Sequence, residues 1–151
     1  MSKPTKPKYA IQISEVDWDS AEKLLSALRT EVFIEEQRVS PELEWDGLDQ
    51  SAKHLLALDS NGEPVGCARI IAPGSIGRMA VVANRRGQGI GQALLSAAIA
   101  VCKQHGWTNI VLSAQTYAIP FYEKAGFIVT SEMYLDAGIP HRDMSLAHTK
   151  T

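Results

Sequence analysis

The residues best suited to chemistry lie together at Arg85-Arg86-Gly87-Gln88-Gly89-Ile90-Gly91. Glycines at alternating positions take three side chains out of a turn, so backbone N–H groups can converge on an anion. The helix that follows adds the free donors of its first turn, and the two arginines add positive charge beside them. The guest this arrangement fits is a phosphate or pyrophosphate. It is not the dinucleotide fingerprint: the glycines give G-x-G-x-G, and the next strand ends in Gln115 where an acid is required. Gln92 after Gly91 excludes a Walker sequence. Elsewhere Tyr122 offers a phenol, and Glu35, Glu36, His54 and His141 offer titratable groups beside breaks in the hydrophobic pattern. No His, Cys or carboxylate set has metal-ligand spacing, so no metal is expected. There is no G-x-S-x-G elbow either.

Periodicity supplies the elements that must position these groups. Tyr9 to Val16 reads as a strand. Trp18 to Phe33 reads as a helix capped by Asp17 or Asp19, with Leu24, Leu25, Leu28 and Val32 on one face. The acidic stretch that follows is broken by Pro41 and turned at Gly47, with room for a short helix. Lys53 to Asp59 and Glu63 to Ile71 form strands around an Asn61-Gly62 hairpin, and Ser75 to Val82 runs into the glycine turn. A helix over Gly91 to His105 stops at Gly106. Asn109 to Ala114 is a central strand, Ile119 to Lys124 a short helix, and Phe127 to Met133 and His141 to Ala147 the last strands. This order gives an α/β domain with a mixed sheet. Residues 1–8 read as a flexible tail and 9–151 as one domain.

The chain has 151 residues, 15 Lys and Arg against 17 Asp and Glu, and a net charge of -2. A nucleic-acid surface would need a strong basic excess, and the Arg85-Arg86 pair is too small for one. No apolar run approaches a membrane-spanning length of about 20 residues, and the polar start lacks the core of a secretion signal, so the expected compartment is the cytoplasm. Cys67 and Cys102 sit in apolar or helical runs with no C-x-x-C pair, so neither a zinc knuckle nor a redox dithiol is expected; a disulfide between them stays open, and Cys67, among Val65, Ala68 and Ile70, reads as core filling. Edge strands in a small mixed sheet invite pairing into a homodimer.

Arg78 to Gly91 resembles the acyl-CoA-binding motif of the GNAT superfamily of N-acetyltransferases. The core of that motif is an Arg or Gln, two residues, a Gly, one residue, then Gly or Ala; Arg86, Gly89 and Gly91 fill it. Gln115, Ala118, Phe121-Tyr122-Glu123-Lys124 and Gly126-Phe127 resemble its C-terminal motif, a short helix carrying a tyrosine and ending in Gly-Phe. Residues 32–37, 46–49, 54–57 and 138–141 further resemble the ElaA-like and YjcF-like bacterial branch. Two positions depart from the common pattern: Ala83 stands for a frequent proline, and Gln115 for a frequent asparagine that keeps an amide near the coenzyme.

The resemblance implies the GNAT fold, a mixed, mostly antiparallel central sheet flanked by helices. It implies acetyl transfer from acetyl-CoA directly to a primary amine of a small-molecule or peptide acceptor; the alternatives are an acyl-CoA-binding sensor or regulatory domain without efficient transfer, and a transferase using another short acyl-CoA. Met79, Ala80 and Val81 would pair with the pantetheine arm, and the Val81 N–H would polarise the thioester carbonyl. Arg86, Gly87, Gln88, Gly89, Ile90 and Gly91 would hold the pyrophosphate, with Arg85 at the adenine or 3′-phosphate side. Gln115 would reach the pantetheine arm or the substrate. Tyr122 would act as general acid to the departing thiolate, or pack beneath the coenzyme. The base stays open among Glu35, Glu36, His54, His141 and an ordered water. The acidic stretch from Glu35 to Asp49 would favour a cationic acceptor such as a polyamine, an aminoglycoside or a lysine-bearing peptide if it lines the cleft mouth, and is otherwise a solvated face.

Overall fold

A computed structural model describes residues 10–147. The tail at 1–8, the start of the first strand at Tyr9 and the last residues from His148 lie outside them. The elements run β1 (Gln12–Val16), α1 (Trp18–Arg29), a π-helix (Thr30–Glu36), α2 (Pro41–Glu44), β2 (Lys53–Leu58), β3 (Pro64–Ile71) and β4 (Ser75–Val81). A 3-10 turn (Ala83–Arg85) leads to α3 (Ile90–Gln104), β5 (Val111–Gln115), a second 3-10 turn (Thr116–Ala118), α4 (Ile119–Lys124), β6 (Phe127–Val129), β7 (Tyr134–Asp136) and β8 (Ile139–Leu146). The sheet order is β1-β2-β3-β4-β5-β8-β6, with β7 paired to β8. Every pairing is antiparallel except β4 with β5. This is the mixed, mostly antiparallel sheet that the element order implied.

Local chemistry accounts for most boundaries. Asp17 caps α1, its Oδ1 accepting from the Ser20 N–H at 2.8 Å. Ala21, Leu25, Leu28 and Val32 recur at helical spacing and are buried, whereas Leu24, expected on that face, is exposed. The helical run does not end at Phe33. It widens into a π-helix, with the Gln37 N–H bonded to the Val32 carbonyl at 3.1 Å. Widening re-aims every later side chain by part of a turn, and π segments recur where a site needs that. Here it buries Phe33 and brings Gln37 toward the cleft. The strand expected over 127–133 stops at Val129 as β6, and an unexpected strand, β7, follows at Tyr134–Asp136 as the first arm of a hairpin with β8. Cys67 and Cys102 are buried and free, as core filling requires.

Between α2 and β2 the acidic stretch becomes part of the interior. Arg29, 1% exposed, donates from Nε to Glu44 at 2.8 Å and from Nη1 to Asp49 at 2.6 Å. Arg69 donates to Asp46 at 2.9 and 2.8 Å and to Asp49 at 3.0 Å. Arg78 reaches Asp46 at 3.2 Å and the carbonyls of Leu43 and Glu44. Three cations thus meet three carboxylates, joining the 44–49 segment to α1, β3 and β4. The His54 Nε2 bonds the Asp49 carbonyl at 2.9 Å, so this histidine is structural.

The network sets an acid limit on stability. Hydrogen bonds from Arg69 hold the Asp46 carboxyl down, from an ordinary value of 3.8 to about 2, against the opposing effect of burial. Burial raises Asp49, yet the hydrogen bonds and charges of Arg29 and Arg69 leave it lowered. A carboxyl with a depressed folded pKa adds stability above its unfolded value, and that stability is lost as pH falls through the folded value. Denaturant midpoints should therefore be flat above pH 4 and fall between about pH 4 and 2, and Asp46→Asn should flatten that decline.

Candidate active site

The site begins where β4 leaves β5. The two strands pair only at Ser75 with Val111 and Ile76 with Leu112. Beyond that point the β3–β4 register slips: Cys67 faces Ala80 and Arg69 faces Gly77, so two steps on β3 span three on β4. The extra residue is a bulge at Arg78, whose φ is 46°. A bulge bends its strand, and this one turns β4 away from β5 and opens a fork. The Val82 N–H bonds to the Val65 carbonyl at 3.0 Å. Peptide groups alternate along a strand, so those of Val81 face the opposite way, into the fork. Ala80 has the parity of Val82 and is buried against β3, so it is a packing residue and not a pantetheine contact.

The glycine turn closes one end of the fork. Gly87 and Gly89 have φ of 79° and 85°, the left-handed region where only glycine is unstrained, and a Cβ on either would meet nothing within 4 Å. No side chain caps α3 at Gly89, which leaves the N–H groups of its first turn facing the turn. The Gln88 Oε1 is buried without a hydrogen-bond partner. Open space lined by free donors fits a pyrophosphate. The Ile90 side chain is part of the core, so only its backbone is available there. Arg86 is engaged: it donates from Nε to the Val81 carbonyl at 2.9 Å and holds Glu36 in a two-pronged pair at 2.6 and 2.7 Å. Arg85 is paired with Asp59 at 3.1 Å.

The other arm opens into a cleft of about 460 Å³. Met79, Gln115, Tyr122 and His141, all expected at the site, line it. Burial pushes the Tyr122 phenol up to about 12, so it is a protonated donor at neutral pH. The His141 Nδ1 lies 2.7 Å from the Ile139 carbonyl. A carbonyl only accepts, so Nδ1 carries a proton, and in the uncharged form of the ring the lone pair is on Nε2. Gln115 donates to Gln37 at 2.8 Å, tying β5 to the π-helix.

Glu36 is not among the cleft residues. Its carboxylate is held below the ordinary range by the Arg86 hydrogen bonds, which removes it as a base in this arrangement. The acidic stretch is not an open negative mouth either, because Glu44, Asp46 and Asp49 are neutralised by Arg29, Arg69 and Arg78. Residues with no sequence signal as site members are Ser113 and Arg69 on the cleft wall, and Tyr134 and Asp143 behind Ser113; Arg78, the first residue of the motif segment, joins that wall without having been singled out. Period-two alternation on β5 marks Ser113 as facing away from Leu112 and Ala114, but only pairing with β8 gives it partners. Among the described residues, no group of three or more His, Cys, Asp or Glu is arranged to hold a metal.

A model of the acetyltransferase (GNAT) domain matches residues 16–148 of the chain. The chain belongs to this family. The GNAT relatives include the uncharacterized N-acetyltransferase YjcF of Bacillus subtilis, 38% identical over 121 residues, covering 78% of this chain and 86% of that one. Protein ElaA of Escherichia coli is 35% identical over 130 residues, with 80% and 84% covered. A crystal structure of ElaA superposes with a TM-score of 0.81 at 31% identity, and one of an acyl-CoA N-acyltransferase from Pseudomonas aeruginosa with 0.82 at 31%. Each covers 91% of this chain and all of its own. The forked sheet, glycine turn and cleft are thus those of a GNAT-fold acyltransferase, which moves an acyl group from acyl-CoA to an amine.

Proposed function

We propose that the protein transfers acetyl from acetyl-CoA directly to a primary amine of a small-molecule or peptide acceptor, on the ElaA-like and YjcF-like side of the family. The observation that carries this is the fork: it turns the Val81 N–H away from β3, between a donor-lined turn and a cleft holding Tyr122 and His141. Acetyl-CoA supplies the activated thioester. The glycine turn and Arg86 bind its pyrophosphate, and Met79, Val81 and Gln115 flank the pantetheine arm. The Val81 N–H donates to the thioester oxygen as negative charge develops there. The His141 Nε2 takes the proton that the amine loses as its nitrogen bonds to the acyl carbon and the C–S bond breaks. Tyr122 donates a hydrogen bond to the departing thiolate.

Calorimetry with acetyl-CoA tests the reading. One-to-one binding at micromolar affinity is expected, and Gly89→Trp should abolish it by filling the space beside the turn. No binding of acetyl-CoA, another short acyl-CoA or free CoA would sink the reading.

The Arg86–Glu36 pair sharpens it. Both side chains are two-fifths exposed, so the pair is worth little in itself, but it occupies the guanidinium that a pyrophosphate needs. Glu36→Gln should tighten acetyl-CoA binding about 2- to 5-fold, the effect of releasing one exposed ion pair. Weaker binding would mean that Glu36 holds Arg86 in its productive place.

A further inference from the structure

The cleft floor on β5 and β8 carries, beside His141 and Gln115, a polar chain of Ser113, Tyr134 and Asp143 that the transfer chemistry above does not use. Ser113 pairs in register with Asp143, and Gln115 with His141, across these strands. Tyr134 pairs with His141 from β7. By alternation all five share one face of the sheet, opposite the buried Leu112, Ala114 and Met144. The Tyr134 hydroxyl lies 2.5 Å from the Asp143 Oδ1 and is also hydrogen-bonded to the Ser113 Oγ. Its ring stacks at 21° against that of His141. Ser113 and His141 line the cleft, while Tyr134 and Asp143 stand behind them.

The direction of this chain is fixed at its far end. An ionised carboxylate only accepts, so Tyr134 must donate to Asp143. The phenol oxygen then accepts the single Ser113 hydroxyl proton. Ser113 is left with lone pairs alone for the cleft. The His141 Nε2, whose partner nitrogen is committed to the Ile139 carbonyl, presents a lone pair too. Ser113 and His141 are diagonal cross-strand neighbours on this face, roughly 7 Å apart at the backbone, and one nitrogen bridges their acceptor atoms where the side chains lean to within about 6 Å of each other.

We propose that Ser113 Oγ and His141 Nε2 form a two-acceptor cradle for the nitrogen of the acceptor amine, with Tyr134 and Asp143 as positioning residues that keep Ser113 from donating. Resting on the transferase reading, this names the residues that select the acceptor by its donors. A primary amine or ammonium has two or three N–H groups and satisfies both acceptors at once. An alcohol has one donor, and a carboxylate none.

The test uses n-butylamine as the probe. Crystals of the wild-type protein with CoA, soaked in n-butylammonium, should place its nitrogen within hydrogen-bond distance of both Ser113 Oγ and His141 Nε2. An empty cradle, or a nitrogen held by Asp46 or Asp136 instead, overturns the proposal. In acetyl transfer to n-butylamine, Ser113→Ala and Tyr134→Phe should each raise the amine KM about 10- to 100-fold, the effect of a hydrogen bond to a charged group. The acetyl-CoA KM should stay within about twofold, because neither side chain joins the glycine turn. Ser113→Thr should restore the amine KM, which a merely structural role would not require. The double variant should be no worse than either single one, since both break one chain; additive effects count against it. The outcomes separate from those of the transferase reading: a protein that binds no acyl-CoA but holds the nitrogen in the cradle loses the activity and keeps the site.

Discussion

Arg29→Met should lower the unfolding free energy by about 3–5 kcal/mol, the cost of leaving a buried charge without its partner. Glu44 and Asp49 are 3% and 7% exposed, and Arg29 is the partner they share. Water cannot reach either carboxylate to replace it. The same change removes a guanidinium 5.7 Å from the ring of Trp18 and 5.0 Å from that of Trp45, so the packing between α1 and the loop after α2 loses attraction as well. For a domain of this size the melting temperature should drop by roughly 10 °C. Adding Glu44→Gln to Arg29→Met should recover part of the loss, because it deletes one uncompensated charge. Denaturant titration of the two variants checks both statements. A loss below about 1 kcal/mol would show that Arg69 and Arg78 neutralise the carboxylates unaided. The cleft should suffer with the fold, since Glu44, Asp46, Arg69 and Arg78 form one of its walls.

Tyr122→Phe should reduce kcat about 100-fold and leave acetyl-CoA affinity nearly unchanged. The ring would still meet Phe121 and Phe127 edge-on, so packing survives the loss of one oxygen. What disappears is the donor in the cleft. Because burial holds the phenol near 12, complete proton transfer to a thiolate of pKa about 8.5 would be uphill by roughly 5 kcal/mol. The useful contribution is a hydrogen bond to the sulfur as charge accumulates. The kcat profile should accordingly show no tyrosine titration below pH 10. Steady-state kinetics beside calorimetric affinity separates the roles: an equal loss in affinity with kcat intact would make Tyr122 a packing residue.

Groups placed by local backbone chemistry could be read from the residues alone. The glycine turn was legible because the left-handed conformation of Gly87 and Gly89 and the helix start after Gly89 are written within a few residues. A cap at Asp17 or Asp19, of which the structure uses Asp17, the Asn61-Gly62 hairpin and the α3 stop at Gly106 were legible for the same reason. The resemblance to the GNAT family rested on two such local motifs, and the match over residues 16–148 agrees with it. The π-helix was not legible: Thr30–Glu36 has ordinary helical residue types, and its extra width is set by what Phe33 and Gln37 meet across the cleft.

Charge was the property the sequence alone misread. The acids between Glu35 and Asp49 look like a solvated or substrate-facing run, yet four of them, Glu36, Glu44, Asp46 and Asp49, pair with Arg29, Arg69, Arg78 and Arg86 in other elements. Ser113 shows the same dependence, because its hydroxyl acquires a direction only when β8 and β7 bring Asp143 and Tyr134 beside it. The sequence by itself determined most of the strand and helix order, the glycine turn and the family, all fixed by short-range sterics and periodicity. Tertiary structure alone decided which charges are spent on one another, which peptide faces the fork and which side chains share the cleft. Those depend on through-space pairing between segments tens of residues apart, and no local pattern encodes it.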